Sequence, residues 1–541
     1  MNDSQKGISP RNKILILLVG LGIIGLAGVW ILARSTPDGL GLVNDSGAYI
    51  SGAESLMAGD GYTWRFGPSG PITHFPPFFS LLLAGAGILG SDLFQAARIM
   101  ILFLFGVNIV LVGVSIYRIA GSLGFAWLGA LLLAISDRHL GVYSLLLSEP
   151  LFTTLMLSAF LILAQFYAGG KKTWLVLCGL AIGLAFLTRL AGLSLYVTVA
   201  ITILLLSLPL RRALRYMGIV FASGLPFLLG WFTYTLTAAG ALANRQLAYH
   251  PLPPERWFDA LKNLLSWLAP DMVFRMLPLL SRLYSFLSLL LIPALMIALY
   301  LGWTAWRGRE VPDGATILVA RAYARQNPGG FSLAFSLAIH ILTYLLFLFL
   351  SISFFDASTP LDDRLLSMVY TPLIVLSCSA PAWIWGRMGR RTALGRWLVA
   401  GVLFVLVAVN AWDGYQEMLR FASQGQGFNH ASMRQSPAMT YIENLGDIRI
   451  YTNRPAAVYL LTGRSALHIP TPFDPARAET RLGYADGLSE MQQAVQDGRA
   501  VLVLFNLKNS VNPEDAQLYL DLSAGLPLFA DYGNVQIFER P

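Results

Sequence analysis

The chain has 541 residues, of which 55% are hydrophobic, 12% aromatic and only 13% charged, with a mean hydropathy of +0.60. That is too little charge to coat a soluble globule of this length, so the composition excludes a soluble protein and specifies a polytopic membrane protein. The net charge of +8 is not a nucleic-acid signature, because most of the excess sits in short loops between apolar runs, where it sets orientation.

Lys6, Arg11 and Lys13 precede a first apolar run over 14–33. The run is too long for a signal-peptide core and lacks a small-residue cleavage site, so it reads as a retained helix. Hydropathy predicts about eleven transmembrane helices, at 14–34, 97–117, 121–137, 149–168, 173–189, 191–209, 214–237, 281–304, 331–354, 364–385 and 397–413. Arg118, the pair Lys171-Lys172, Arg211, Arg212 and Arg215 follow the second, fourth and sixth spans. Arg307, Arg309, Arg321 and Arg325 follow the eighth, and Arg387, Arg390, Arg391 and Arg396 the tenth. Every basic short loop therefore falls on one side, which makes the N-terminus cytoplasmic and places the first loop and the C-terminus outside. Cys178 and Cys378 each lie inside an apolar run and form neither a disulfide framework nor a metal motif.

The first outer loop, 35–96, is the richest in chemistry. It reads NDSGAYISGAESLMAGDGYTWRFGPSGPITHFPPFFSLLLA from Asn44. The apolar run 78–89 behind Pro76-Pro77 is too short to span, and proline suits a first helical turn, so an interfacial or re-entrant helix is expected there. The fourth outer loop, roughly 238–280, carries Trp257, Leu261, Leu264, Leu265 and Leu268 at the spacing of an amphipathic surface helix. After residue 413 the composition turns mixed and globular. Alternating helix and strand patterns predict a C-terminal extracytoplasmic α/β domain over 414–541, with strands at 448–452, 466–469, 500–505 and 536–539 and helices at 436–445, 455–461, 488–498 and 513–524. Residues 1–413 form the transmembrane module.

The candidates for chemistry are few. Asp45 reads either as a general base at the outer face or as a loop acid or helix cap. Glu149, opening the fourth span, is either functional or simply favourable at a helix N-terminus. Arg189 and Arg364 are basic residues on the side that the charge rule disfavours; a bound phosphate explains them, as does pairing with an acid, Asp362 and Asp363 being next to Arg364. Asp137 and His139, with Asp45 and His74, supply oxygen and nitrogen atoms for a divalent cation, although their spacing matches no compact metal motif. Tyr62, Trp64, Phe75 and Trp257 suit stacking on a sugar, although such residues more often form an interfacial aromatic belt.

The order of these features resembles the GT-C superfamily of membrane glycosyltransferases, in the branch holding the dolichyl-phosphate-mannose protein mannosyltransferases and the lipid A aminoarabinose transferases. The resemblance rests on NDSGAY, HFPPFFSLLLA, AARI opening the second span, SEPLF, FLTRLAG and DDRLLSMVYTPLIVL, which cover most of residues 1–380 in the family's order. It implies a polyprenyl-phosphate sugar donor, no nucleotide, and transfer outside the cytoplasm, with Asp45 as base and Glu149 as the carboxylate opening the fourth helix. Arg364 and Arg189, with His74 nearby, are then the donor-phosphate residues, Tyr62 and Trp64 sugar or acceptor contacts, and inversion the stereochemical outcome. The branch also implies a multi-pass protein of a bacterial inner membrane, whose partners are the lipid-linked donor, membrane lipid and an acceptor. One departure stands out: the lysine common before the Pro-Pro pair is Phe75 here. A flippase or transporter of lipid-linked glycans, an oligosaccharide ligase or polymerase, and a glycolipid-binding homologue without turnover are the competing readings.

Overall fold

The structure is a computed structural model that describes residues 9–240, 247–252, 254–266, 278–307, 315–385, 393–474, 479–506 and 513–540. Arg309, Arg387, Arg390, Arg391 and Leu268 lie outside the described residues. The apolar runs form helices: α1 (Pro10–Ser35), α2 (Asn44–Ala58), α3 (Phe78–Ile88), α4 (Leu93–Ala120), α5 (Leu123–Ile135), α6 (Asp137–Tyr143), α7 (Glu149–Gly169), α8 (Thr173–Thr188), α9 (Leu193–Leu206) and α10 (Leu210–Ala239). Pro278–Arg307, Pro328–Phe354, Asp363–Trp385 and Ala393–Gln424 follow. The ends are set locally. Asp92 accepts from Gln95 N at 2.9 Å to start α4, and Gly121 ends it in the left-handed conformation, φ 67°.

This is a multi-pass membrane protein, but the span count differs from the expected eleven. Among the described residues seven helices are long and apolar enough to cross a membrane, or eight if α5 and α6, which meet at 58°, form one broken span. The difference lies in three stretches. Residues 173–189 and 191–209 fold into α8, of 16 residues, and α9, of 14, joined through a tight turn at Leu190–Gly192. Both are shorter than the roughly 20 residues that a straight crossing takes. The third, 281–304, lies inside the 30-residue helix Pro278–Arg307, which is long enough to cross, but part of it carries side chains outside the described residues and it does not enter the count. α8 packs between α7 and α10, while Pro328–Phe354 packs against α7 and α9. α3 has the expected character: 11 residues opened by Pro77, with Leu81, Leu82 and Ile88 exposed.

The C-terminal domain is a small mixed sheet. Its strands are β1 (Arg449–Thr452), β2 (Leu467–His468), β3 (Phe473–Asp474), β4 (Glu479–Thr480), β5 (Ala500–Phe505), β6 (Leu528–Asp531) and β7 (Val535–Phe538), with β3 and β4 forming a separate pair. In the order β2-β1-β5-β7-β6, the first three strands run parallel and β7 joins antiparallel to β5 and β6. β5, AVLVLF, is buried throughout, as a central strand covered on both faces must be. β6 escapes sequence reading because its side chains are mostly exposed and carry no alternating apolar pattern. The last membrane helix continues past residue 413 to Gln424 before this domain begins.

The domain docks on the first loop. Phe66 stacks on Tyr459 with ring centroids 4.8 Å apart, Gly67 N donates to Ala466 O at 3.0 Å, and Tyr459 donates to Glu54 of α2. The glycines of α2 permit this. A Cβ at Gly47 would stand 2.9 Å from Phe66 Cζ, and one at Gly52 would stand 2.2 Å from Tyr62 Cε2. Tyr62 is 6% exposed and donates to Phe75 O at 3.0 Å, so its ring is held in place. Gly52→Ala is therefore expected to destabilise the protein by about 1–3 kcal/mol through overpacking. A lowered thermal midpoint in detergent would show it, and an unchanged midpoint would mean that the loop yields freely.

Candidate functional site

Asp45 lies in the first turn of α2, where the helix N-terminus favours a carboxylate. It does not cap the helix. That role falls to Ser46, whose Oγ accepts from Val43 N at 3.0 Å and donates to Leu146 O at 2.8 Å. The Asp45 side chain instead reaches Arg364, whose Nη1 donates to its Oδ2 at 2.7 Å. Arg364 is thereby turned away from the acids beside it in sequence. Asp362 accepts from Leu365 N at 3.1 Å, and Asp363 holds Arg138 at 2.6 Å and the Tyr370 hydroxyl at 2.8 Å.

Behind this pair stands Glu149, the first residue of α7, only 1% exposed. Arg189 follows the end of α8 in extended backbone and approaches Glu149 Oε1 at 2.8 Å. Arg364 Nε lies 3.8 Å from the same oxygen. The Arg189 approach is close but off the line of an N–H bond. Both Glu149 oxygens, and Arg364 Nε, thus lack a hydrogen-bond partner among the described residues. Four charges alternate along one line: Asp45, Arg364, Glu149, Arg189. Buried charges of this kind persist when paired, and orphaned atoms among them are uncommon in a finished core.

The chain of charges borders a cavity of about 430 Å³ lined by Asp45, Tyr49, His74, Arg189, Tyr344 and Arg364, among others. Glu149 does not line it; it supports the arginines from behind. Tyr49, one helical turn after Asp45, bonds Ser148 Oγ at 2.7 Å, and Arg189 donates to the same oxygen at 3.2 Å. Burial pushes the Tyr49 hydroxyl well above the ordinary tyrosine range, so it stays neutral. Asp356, which also lines the cavity, accepts from Ser358 Oγ at 2.6 Å and Thr359 Oγ1 at 2.8 Å.

Of the residues singled out in the sequence, Asp45, His74, Arg189 and Arg364 share this wall. Tyr62 and Trp64 do not line it. Tyr62 accepts at its carbonyl from the Tyr234 hydroxyl at 2.7 Å, and Trp64 packs edge-on against Phe66 and Phe75. Both brace the loop that carries His74. Asp137 and His139 lie elsewhere, in α6. His139 is fully buried, with Nδ1 3.1 Å from Ser136 Oγ and Nε2 3.4 Å from Thr371 Oγ1, so neither nitrogen is presented to an ion. Among the described residues no three His, Cys, Asp or Glu side chains stand close enough together to hold a metal. These residues do not fit a divalent site. Sequence reading missed Tyr49 and Tyr344. The position of Tyr49, four residues after Asp45, puts it on the same helix face, a signal that was available; Tyr344 sits in an apolar run with none.

Comparison with known proteins agrees with this architecture. Among solved structures, ArnT from Cupriavidus metallidurans bound to undecaprenyl phosphate superposes with a TM-score of 0.51 at 14% identity, over 98% of this chain and 100% of that one. The archaeal oligosaccharyltransferase AglB from Archaeoglobus fulgidus, in complex with an inhibitory peptide and a dolichol-phosphate, gives 0.54 at 13% identity, over 98% of this chain and 74% of that one. The chain has the GT-C fold. No protein-family profile matches it, and no curated protein sequence does. The GT-C likeness is thus one of tertiary structure, at identities where sequence alone carries little.

Removing one member of the buried charge line leaves its neighbour unpaired. Arg189→Met is expected to cost about 3–5 kcal/mol, the range for breaking one side of a buried ion pair. Adding Glu149→Leu should recover most of that loss, because the orphaned carboxylate goes with it. Thermal unfolding of the two single variants and the double variant in detergent measures the coupling. Additive losses would mean that the pair is not energetically linked.

Proposed function

We propose that the protein is an integral-membrane glycosyltransferase that moves a sugar from a polyprenyl-phosphate donor to an acceptor outside the cytoplasm, with inversion at the anomeric carbon. The observation that carries this reading is the meeting of Asp45 with Arg364 and Arg189 in one cavity, a base and two anion-stabilising groups at the junction of the first loop, the α8 break and the helix Asp363–Trp385. The solved structures that share the fold hold undecaprenyl phosphate and dolichol-phosphate, which supports a donor of the same class. The charge rule along the loops supports the orientation. The division into a transmembrane module and a C-terminal domain belongs to the same reading, moved from residue 413 to the end of the last helix at Gln424, with the transmembrane module as the catalytic part.

In the proposed reaction the donor phosphate takes the guanidinium of Arg364, bidentate geometry being what arginine offers a phosphate. Arg364 lines the cavity and so can meet a phosphate there. Asp45 then gives up its ion pair and accepts the proton of the acceptor hydroxyl. That oxygen bonds to the anomeric carbon as the bond to the phosphate oxygen breaks. The electron pair leaves with the polyprenyl phosphate, whose charge the arginines stabilise in the transition state. Glu149 holds both arginines in register from behind, acting as a positioning residue. His74 and Tyr344 border the space that the sugar would occupy.

The reading is tested by incubating membranes that contain wild type or Asp45→Asn with a panel of radiolabelled polyprenyl-phosphate sugars. Wild type should consume one donor, and Asp45→Asn should lose about 10²–10⁴ in turnover, the usual contribution of a positioned base, while still binding that donor. If neither protein consumes any donor while lipid-linked glycans still change sides of the membrane, the transferase reading is wrong.

A further inference from the structure

A second cavity, of about 480 Å³, lies where the segment after α1, the segment 427–433 and the C-terminal sheet meet. Leu42 and Gly427 bridge as strands do at this junction, and Phe428 N donates to Leu42 O at 2.7 Å, so the walls are joined by backbone. Its polar lining is Asn44, His430, Ser432, Arg454, Asn506 and Asn534, with no acid among the described lining residues. Arg454 is the only arginine or lysine among the described lining residues.

Arg454 differs from the two arginines of the catalytic cavity. Arg189 and Arg364 each face a carboxylate, whereas Arg454 has no ion pair and no side-chain hydrogen bond among the described residues. Its guanidinium lies over the Phe428 ring, 5.9 Å from the centroid, and the residue is half-buried. Burial drives its affinity for the proton down from the usual arginine range, which is the sign of a charge held partly out of water without a counter-charge. An arriving anion would offset that cost, and a planar guanidinium suits a tetrahedral oxyanion with two parallel N–H bonds.

Position ties this cavity to the chemistry. Asn44 contributes to both cavities, and it is bonded directly to Asp45. A molecule anchored at Arg454 would therefore reach the neighbourhood of the Asp45 carboxylate from the C-terminal domain's side. We propose that this cavity is an acceptor subsite that binds a phosphate-class oxyanion carried by the acceptor, through the Arg454 guanidinium within a wall of neutral amide, imidazole and hydroxyl groups. The assignment to the acceptor rests on the transferase reading above; the anion site itself rests on the cavity and Arg454.

The test uses the full chain in phosphatidylcholine nanodiscs and phenylglyoxal, which modifies arginine. The rate of modification of Arg454 is followed by mass spectrometry on its own peptide, apart from that of Arg364. In one arm inorganic phosphate is added. In the other, part of the phosphatidylcholine is replaced by phosphatidic acid, which presents a phosphomonoester at the membrane surface. A site occupied at ten times its Kd should slow Arg454 labelling about tenfold by mass action. Protection by inorganic phosphate supports a site open to soluble anions. Protection by phosphatidic acid alone supports one that reads a lipid headgroup. Labelling unchanged in both arms overturns the proposal. No variant is needed, so misfolding cannot mimic a result. The outcome also separates from the donor assay: transfer without protection removes only this subsite, and protection without transfer leaves an anion site on a protein that is not a transferase.

Discussion

The structure depends on one alternating line of charge, Asp45–Arg364–Glu149–Arg189. Its four members come from α2, the helix Asp363–Trp385, α7 and the end of α8, so a single electrostatic constraint ties together elements spread over more than 300 residues. In a low-dielectric bundle none of these charges is tolerated alone, because the cost of an unpaired buried ion exceeds what packing supplies. The line therefore fixes how the helix mouths meet, and the cavity is the space left beside it. Its incompleteness matters as much as its presence. Glu149 and Arg364 Nε keep unfilled hydrogen-bonding capacity.

A second constraint is steric. The first loop is pressed between α2, the helix mouths and the C-terminal sheet. Close approach at Gly47 and Gly52 lets Phe66 and Tyr62 lie directly on the helix backbone. The aromatic residues of the loop thus act as supports. They hold the Phe75 and His74 segment over the cavity, and they give the C-terminal domain a surface to dock on through Tyr459. The burial that raises Tyr459 and its bond to Glu54 together keep that hydroxyl protonated and donating. The sheet domain is thereby held against the first loop, and the Arg454 cavity forms at that junction.

Much of this was legible in the residues. Runs of apolar side chains specify membrane helices because an unpaired backbone cannot sit in hydrocarbon. A proline pair before a short apolar run specifies the start of α3, and a continuous β-branched apolar run specifies the central strand of the sheet. Asp45, Arg189, Arg364 and His74 stand out as charged or polar residues at the edges of apolar runs, and the folded chain gathers them around one cavity. What composition could not count was the crossings. α8 and α9 form close to where hydropathy places them, but at 16 and 14 residues they are short for a straight crossing.

The sequence by itself determined the class of the molecule, a helical membrane bundle with a polar first loop and a small α/β tail, since these follow from local hydrophobicity, propensity and turn chemistry along the chain. Tertiary structure alone decided who pairs with whom. From its neighbours Arg364 has two acids at hand, and only the fold gives it Asp45, 319 residues away in sequence, while Asp363 goes to Arg138. It likewise moved Tyr62 and Trp64 out of the cavity, closed His139 against solvent and left Arg454 without an acid among the described residues. The physical reason is that an ion pair is fixed by distance in space and by shared burial. Neither is encoded at any one position, and both emerge when distant helix ends are packed together.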